Sequence, residues 1–144
     1  MRGFRVPPLP LPTRMRPWHR ALVLVEVLAA YAPLLRHMRS NELISMVDSA
    51  RAVGRAHRIP RPRDPRRDAV RLGSIVQQVL KVLPTDGRCL IQSLVLTRML
   101  AARDIDSRVV IGVSMADGFA AHAWVEYEGR PVLPSGHFDR LHEL

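Results

Sequence analysis

The sequence holds a single cysteine, Cys89, and a histidine, His122, follows it roughly thirty residues later in a strand-like segment. Nucleophilic catalysis by cysteine requires at least the thiol and a nearby base, and an imidazole can be that base. Asp86 could cap a helix that carries Cys89 in its first turn, where the positive end of the helix dipole stabilises a thiolate over a thiol. The pattern therefore predicts a nucleophile at residue 89. The alternative is that Cys89 is a small, inert side chain of the core.

His122 lies within residues 119–127, whose alternation places His122, Trp124 and Glu126 on one face of a strand. If this strand packs against the start of the helix, the imidazole can take the thiol proton and give it to a leaving group. A half-buried histidine bound to backbone would give the same pattern. The other histidines have no comparable partner and are predicted to lie on the surface: His19, His37, His57, His137 and His142.

A base needs a group that orients it, and the sequence offers several. Glu126 shares the face of His122, but four strand residues span roughly 13 Å, which is too far for a hydrogen bond. Asp139 follows the third predicted strand and could fold back to the imidazole, so we predict Asp139 as the third catalytic residue. Ser135 or a backbone carbonyl could take the same place.

The main-chain amide of Cys89 is the predicted oxyanion donor because it lies at the start of a helix. Gln92, one turn later, could add its side-chain amide, or it could face solvent. Thiol chemistry of this kind needs no metal and no cofactor. A single cysteine also excludes an intramolecular disulfide and a cysteine-rich zinc site.

The chain is basic, with 22 Lys and Arg against 13 Asp and Glu and a formal net charge of +9. Such a charge could favour phosphates or an acidic partner. The few aromatic residues are not interleaved with the arginines, so a base-stacking surface is absent from the pattern and nucleic-acid binding is not expected. The lone thiol suits a reducing compartment, and the cytoplasm is the predicted location.

Residues 21–35 are apolar but contain Glu26 and Pro33, and they fall short of the roughly twenty residues that a membrane span needs. A signal peptide is disfavoured by the carboxylate. We expect a helix that is buried or faces a partner. Peripheral contact with an anionic membrane through this helix and its arginines is a further alternative.

The elements predict an α+β fold in which a helical half precedes a small antiparallel sheet. Residues 1–17 are predicted to be a proline-rich tail and residues 18–144 a single α+β domain, with a helical part (18–83) and a protease-like core (84–144). Helices are predicted at about 18–39, from 40 or 41 onwards, at about 68–83 and at about 87–103, the last being central. Residues 58–67 are predicted to be a basic linker. Strands are predicted at 107–114, 119–127 and 131–133, with a hairpin turn at Glu128 and Gly129.

Three runs carry a family resemblance: residues 89–100, 103–113 and 119–132, the last with Ala-His-Ala-Trp-Val-Glu at 121–126. They resemble the lasso-peptide biosynthesis B proteins, transglutaminase-like cysteine proteases that remove the leader from a ribosomally made precursor. The resemblance implies a transglutaminase/papain-like core with Cys89 as nucleophile and His122 as base. The family's acid lies about twelve residues beyond the histidine, where this chain has Pro134.

The chain has no room for the family's recognition domain, so it resembles the stand-alone protease form. That form implies three partners: the precursor peptide, a separate leader-binding protein and an ATP-dependent macrolactam synthetase. The expected function is hydrolysis of one peptide bond at the junction of leader and core. The alternatives are another acyl-transfer enzyme, such as a transglutaminase or amidase, and a non-catalytic basic adaptor in which Cys89 is a core residue.

Overall fold

The computed structural model describes residues 16–37, 43–81, 88–136 and 138–144. In these residues the helices come first and the strands last, which confirms the predicted α+β class. The helices are α1 (Pro17–His37), α2 (Leu43–Ala56), α3 (Pro65–Leu80) and α4 (Arg88–Ala102). The strands are β1 (Arg108–Ser114), β2 (Ala120–Tyr127), β3 (Arg130–Pro131) and β4 (Asp139–Glu143), all antiparallel in the order β3-β2-β1-β4.

Helix α4 is the centre of the fold, as its sequence predicts. Apolar residues occur on all sides of this helix, which is typical of a buried helix. It packs against α1, α2, α3, β1 and β2. Its largest fully buried side chains are Ile91, Leu94, Val95, Leu96, Met99 and Leu100. This burial along the whole helix fixes the position of its first turn, which carries Cys89.

Helix α2 packs closely on α4 through Gly54. A Cβ atom at that position would lie 2.3 Å from the main-chain oxygen of Arg98, so a larger residue would force the two helices apart. The buried residues of α2 are Met46, Val47, Ala50 and Gly54, whereas Ile44 and Val53 are 55% and 37% exposed. Residues 40 and 41, where this helix is predicted to begin, lie outside the described residues.

The predicted start of the third helix, at residue 68, is wrong by one turn. The helix begins at Pro65, and the side chain of Asp64 accepts a hydrogen bond of 3.0 Å from the amide of Arg67. Proline is tolerated in the first turn of a helix because an N–H group at that position has no intrahelical acceptor. The predicted basic linker is therefore shorter, since its last residues belong to the helix.

The sheet contains the predicted hairpin turn and one strand that was not predicted. Glu128 and Gly129 both have positive φ, 51° and 71°, as a two-residue hairpin turn requires, so the turn prediction is confirmed. The predicted third strand is shorter than expected and ends at Pro131. Strand β4 was not predicted; it pairs with the outer side of β1.

Glu26, the carboxylate within the apolar stretch of α1, pairs with buried Arg103 just after α4. The two guanidinium nitrogens donate hydrogen bonds of 2.7 and 2.9 Å to the two carboxylate oxygens. The Nε atom of Arg103 also lies 3.5 Å from Asp68 of α3. This cluster holds three helices together, which accounts for a charge within an apolar helix.

One side of α1 is buried through Val23, Val27 and Ala30. The opposite side exposes large apolar side chains: Trp18, Leu22, Leu24, Val25 and Leu28. The helices in the described part of the chain all lack the length or the apolar character needed to cross a membrane.

Candidate active site

Cys89 lies in the first turn of α4, and its thiol is partly buried. One turn later the hydroxyl of fully buried Ser93 donates a hydrogen bond of 2.8 Å to the main-chain oxygen of Cys89. This bond fixes the backbone of the first turn from inside the core. The predicted cap, Asp86, lies outside the described residues.

Helix α4 packs against β2, and the thiol of Cys89 and the imidazole of His122 lie close enough for each to shift the pKa of the other. Hydrogen bonding between the two side chains is the largest of the effects that lower the pKa of Cys89; burial opposes it, and the amides of Ala123 and Leu90 add to the lowering. The same bond is the main reason why the pKa of His122 is raised. Each group therefore favours the charged form of the other, as a thiolate–imidazolium pair requires.

A main-chain oxygen decides how the imidazole is oriented. Nε2 of His122 lies 2.8 Å from the carbonyl oxygen of Pro134. A carbonyl can only accept, so Nε2 carries the hydrogen and donates it. In the neutral ring Nδ1 is then the acceptor, and it is the nitrogen left to take the proton of Cys89.

Asp139, the predicted third catalytic residue, is not brought to the imidazole. Its partner in β1 is Val113, which in turn pairs with Ala121 of β2. Paired residues share a face of the sheet and neighbouring residues alternate, so Asp139 and His122 point to opposite faces. Strand β1 also lies between them. The Pro134 carbonyl takes the orienting position instead.

A cleft of about 510 Å³ opens beside Cys89, between the end of α3 and the start of α4. The described residues that line it are Gln77, Gln78, Lys81, Arg88, Cys89 and Gln92. Gln92 lines the same cleft as Cys89, and its role as an oxyanion donor stays a prediction. The sequence analysis did not single out Gln77, Gln78 and Lys81, although they lie away from the buried residues of α3. The described residues contain no cluster of three or more His, Cys, Asp or Glu side chains that could hold a metal ion.

The model of the Transglutaminase-like superfamily matches residues 31–143, which include α2, α3, α4 and every strand described above. The chain belongs to the transglutaminase-like superfamily. This superfamily includes cysteine peptidases and acyl-transferases, so the family indicates cysteine-based enzymatic activity in general and leaves the reaction open. The chain has no significant match among curated proteins or among solved structures.

Glu126, on the same face of this transglutaminase-like sheet as His122, is engaged elsewhere. Its buried carboxylate accepts a hydrogen bond of 2.9 Å from Nε1 of Trp124 and one of 2.6 Å from Arg140. These bonds hold the indole in place. Glu126 therefore supports the ring that lies beside the imidazole and does not orient the imidazole itself.

Two aromatic rings stack on His122 in the transglutaminase-like site. The ring centre of Trp124 lies 5.9 Å from that of the imidazole, and the ring centre of Phe138 lies 4.9 Å away. Trp124 reaches across β1 because Gly112 leaves space: a Cβ there would lie 2.7 Å from the indole. Phe138 and Gly112 were missed in the sequence, since neither residue type signals chemistry. The stacked rings of Trp124 and Phe138 limit how far the imidazole can rotate.

Proposed function

We propose that this chain is a cysteine peptidase that removes the leader from a ribosomally made lasso-peptide precursor. The observation that carries the proposal is the packing of α4 on β2, which sets Cys89 beside His122 so that the thiol pKa is lowered and the imidazole pKa is raised. The peptidase role, and not another acyl transfer, is supported by the resemblance of residues 89–100, 103–113 and 119–132 to the lasso-peptide B proteins.

The reaction begins when the thiolate of Cys89 attacks the carbonyl carbon at the junction of leader and core. The negative charge that develops on the oxygen is stabilised by the main-chain amide of Cys89 and by the side-chain amide of Gln92. The imidazolium of His122 then gives its Nδ1 proton to the nitrogen of the core peptide, and the carbon–nitrogen bond breaks. The leader remains bound to Cys89 as a thioester.

Water completes the cycle. His122, now neutral, takes a proton from the water that attacks the thioester carbonyl, and the leader leaves with a free carboxylate. In both steps Nε2 keeps its hydrogen and donates it to the carbonyl oxygen of Pro134, so Nδ1 remains directed at the reacting atoms. Pro134 is in this sense a positioning residue that acts through its main chain.

The proposed partners follow from the same resemblance. A separate leader-binding protein would hold the precursor so that the junction reaches the cleft beside Cys89. The new amino terminus of the core would be the substrate of an ATP-dependent macrolactam synthetase. Substrate selection by this chain would then depend on the few residues on either side of the cut.

The test uses purified precursor, leader-binding partner and this protein, with products followed by mass spectrometry. Wild type is expected to release leader and core, and Cys89→Ala is expected to release neither, because no thioester can form. Circular dichroism of the variant controls for folding. A folded Cys89→Ala variant that cuts at the wild-type rate contradicts the proposal.

Membership of the superfamily favours one alternative, transfer of an acyl group to an amine. Such an enzyme would attack a side-chain carboxamide through the same Cys89 thioester and release ammonia. The same mass spectra separate the two reactions, because hydrolysis of the main chain yields two fragments. Transfer joins an amine to an uncut chain.

A further inference from the structure

We propose that Lys81 makes the cleft beside Cys89 select substrates with an acidic side chain close to the bond that is cut. The inference rests on the proposed peptidase function for its biological meaning. Its physical content, a cleft that favours an anionic reactant, can be tested without any cleavage.

The charged residues in the described part of the cleft lining have one sign. Lys81 and Arg88 contribute cations, and Gln77, Gln78 and Gln92 contribute carboxamides. Among the described lining residues none carries a carboxylate. Carboxamides can donate to and accept from a peptide backbone, whereas ammonium and guanidinium groups favour a carboxylate over a neutral side chain. The lining therefore fits an extended peptide with an acidic residue.

The place of Lys81 at the end of α3 makes it the decisive cation. The last carbonyls of a helix carry partial negative charge, which would repel an acidic side chain in the cleft. Lys81 follows α3 directly: its amide donates a 3.1 Å hydrogen bond to the main-chain oxygen of Gln77, and its side chain is exposed. The full positive charge of its ammonium group exceeds the roughly half a unit of negative charge at the end of a helix. The start of α4, across the cleft, is already positive.

Alkylation of Cys89 measures this potential directly, because it is the only cysteine in the sequence. Iodoacetate carries a negative charge and iodoacetamide does not, while both react only with the thiolate. The ratio of their rates therefore cancels any change in the pKa of Cys89 and reports the potential at the sulfur. We expect Lys81→Glu to lower the iodoacetate/iodoacetamide ratio about fivefold at low ionic strength, an effect that shrinks in about 0.5 M salt.

Two variants serve as controls. Lys81→Arg keeps the charge and is expected to keep the ratio. Arg130→Glu makes the same change in net charge as Lys81→Glu, but Arg130 pairs with Tyr127, at the end of β2 remote from His122. Its ratio is expected to change by less than about twofold, since screening weakens a charge at that distance.

Cleavage of a peptide library prepared from a digested proteome then tests substrate choice. Wild type is expected to cut next to Asp or Glu more often than their abundance predicts, and Lys81→Glu to lose this enrichment. Equal changes in the alkylation ratio for Lys81→Glu and Arg130→Glu, or no change in either, overturn the inference, as does an unbiased set of cuts. If the alkylation ratio behaves as expected but no peptide and no precursor is cut, the proposed function fails and the charge selectivity of the cleft stands.

Discussion

Replacing His122 by Ala should return the thiol of Cys89 to ordinary behaviour. The imidazole hydrogen bond is the largest effect that lowers the pKa of Cys89, and burial works against it. Without the imidazole the pKa of Cys89 should rise, because the largest effect that lowers it is lost. At a pH below the thiol pKa, the ionised share falls about tenfold for each pH unit by which the pKa rises, and the alkylation rate relative to its high-pH plateau falls with it.

The assay is the rate of iodoacetamide alkylation of Cys89 against pH. Wild type should keep a much larger share of its plateau rate at pH 7, because its thiol pKa is lowered. His142→Ala, which removes an exposed histidine of β4, is the matched control and should follow the wild-type curve. If His122→Ala followed it too, the imidazole would not be the group that stabilises the thiolate. Cleavage should fall at low pH, where Cys89 is protonated, and at high pH, where His122 has lost the proton that the leaving amine needs.

Two further substitutions test the structure around the site. Asp139→Asn should change the alkylation profile and the cleavage rate by less than about twofold, because Asp139 faces away from His122; a loss of about a hundredfold in cleavage would show that the carboxylate reaches the imidazole. Arg103→Met should lower the free energy of unfolding in urea by about 3–5 kcal/mol, because the partly buried carboxylate of Glu26 loses its partner and that of Asp68 keeps only Arg71. A loss below about 1 kcal/mol would mean that water already solvates this cluster.

The sequence was sufficient for the elements that local pattern determines. Apolar residues on all sides of residues 88–102 predict a central helix, and the structure has one. Alternation within residues 119–127 predicts that His122 and Trp124 share a face, and their rings stack. The thiol lies at the start of that helix and the imidazole on that strand. Packing the helix against the strand therefore brings the two groups close together.

The features that the sequence did not predict depend on the course of the backbone and on pairing between distant segments. The orienting group is a main-chain oxygen, and a carbonyl is present at every residue, so no side-chain type marks Pro134. Strand β4 forms because the outer edge of β1 is available for pairing. This pairing depends on a distant segment, so the sequence of residues 139–143 alone does not predict it. The start of α3 was missed because residues 58–67 were predicted to be a linker, although a proline such as Pro65 is compatible with the first turn of a helix.

The carbonyl of Pro134 gives the site an unusual tolerance. A carboxylate in that role would be lost by a single codon change, whereas a peptide oxygen survives any substitution that leaves the loop in place. Position 134 can therefore vary among homologues while the imidazole keeps its direction. Searches that require an acid at this spacing would discard such chains as inactive, and the course of the loop is the better criterion.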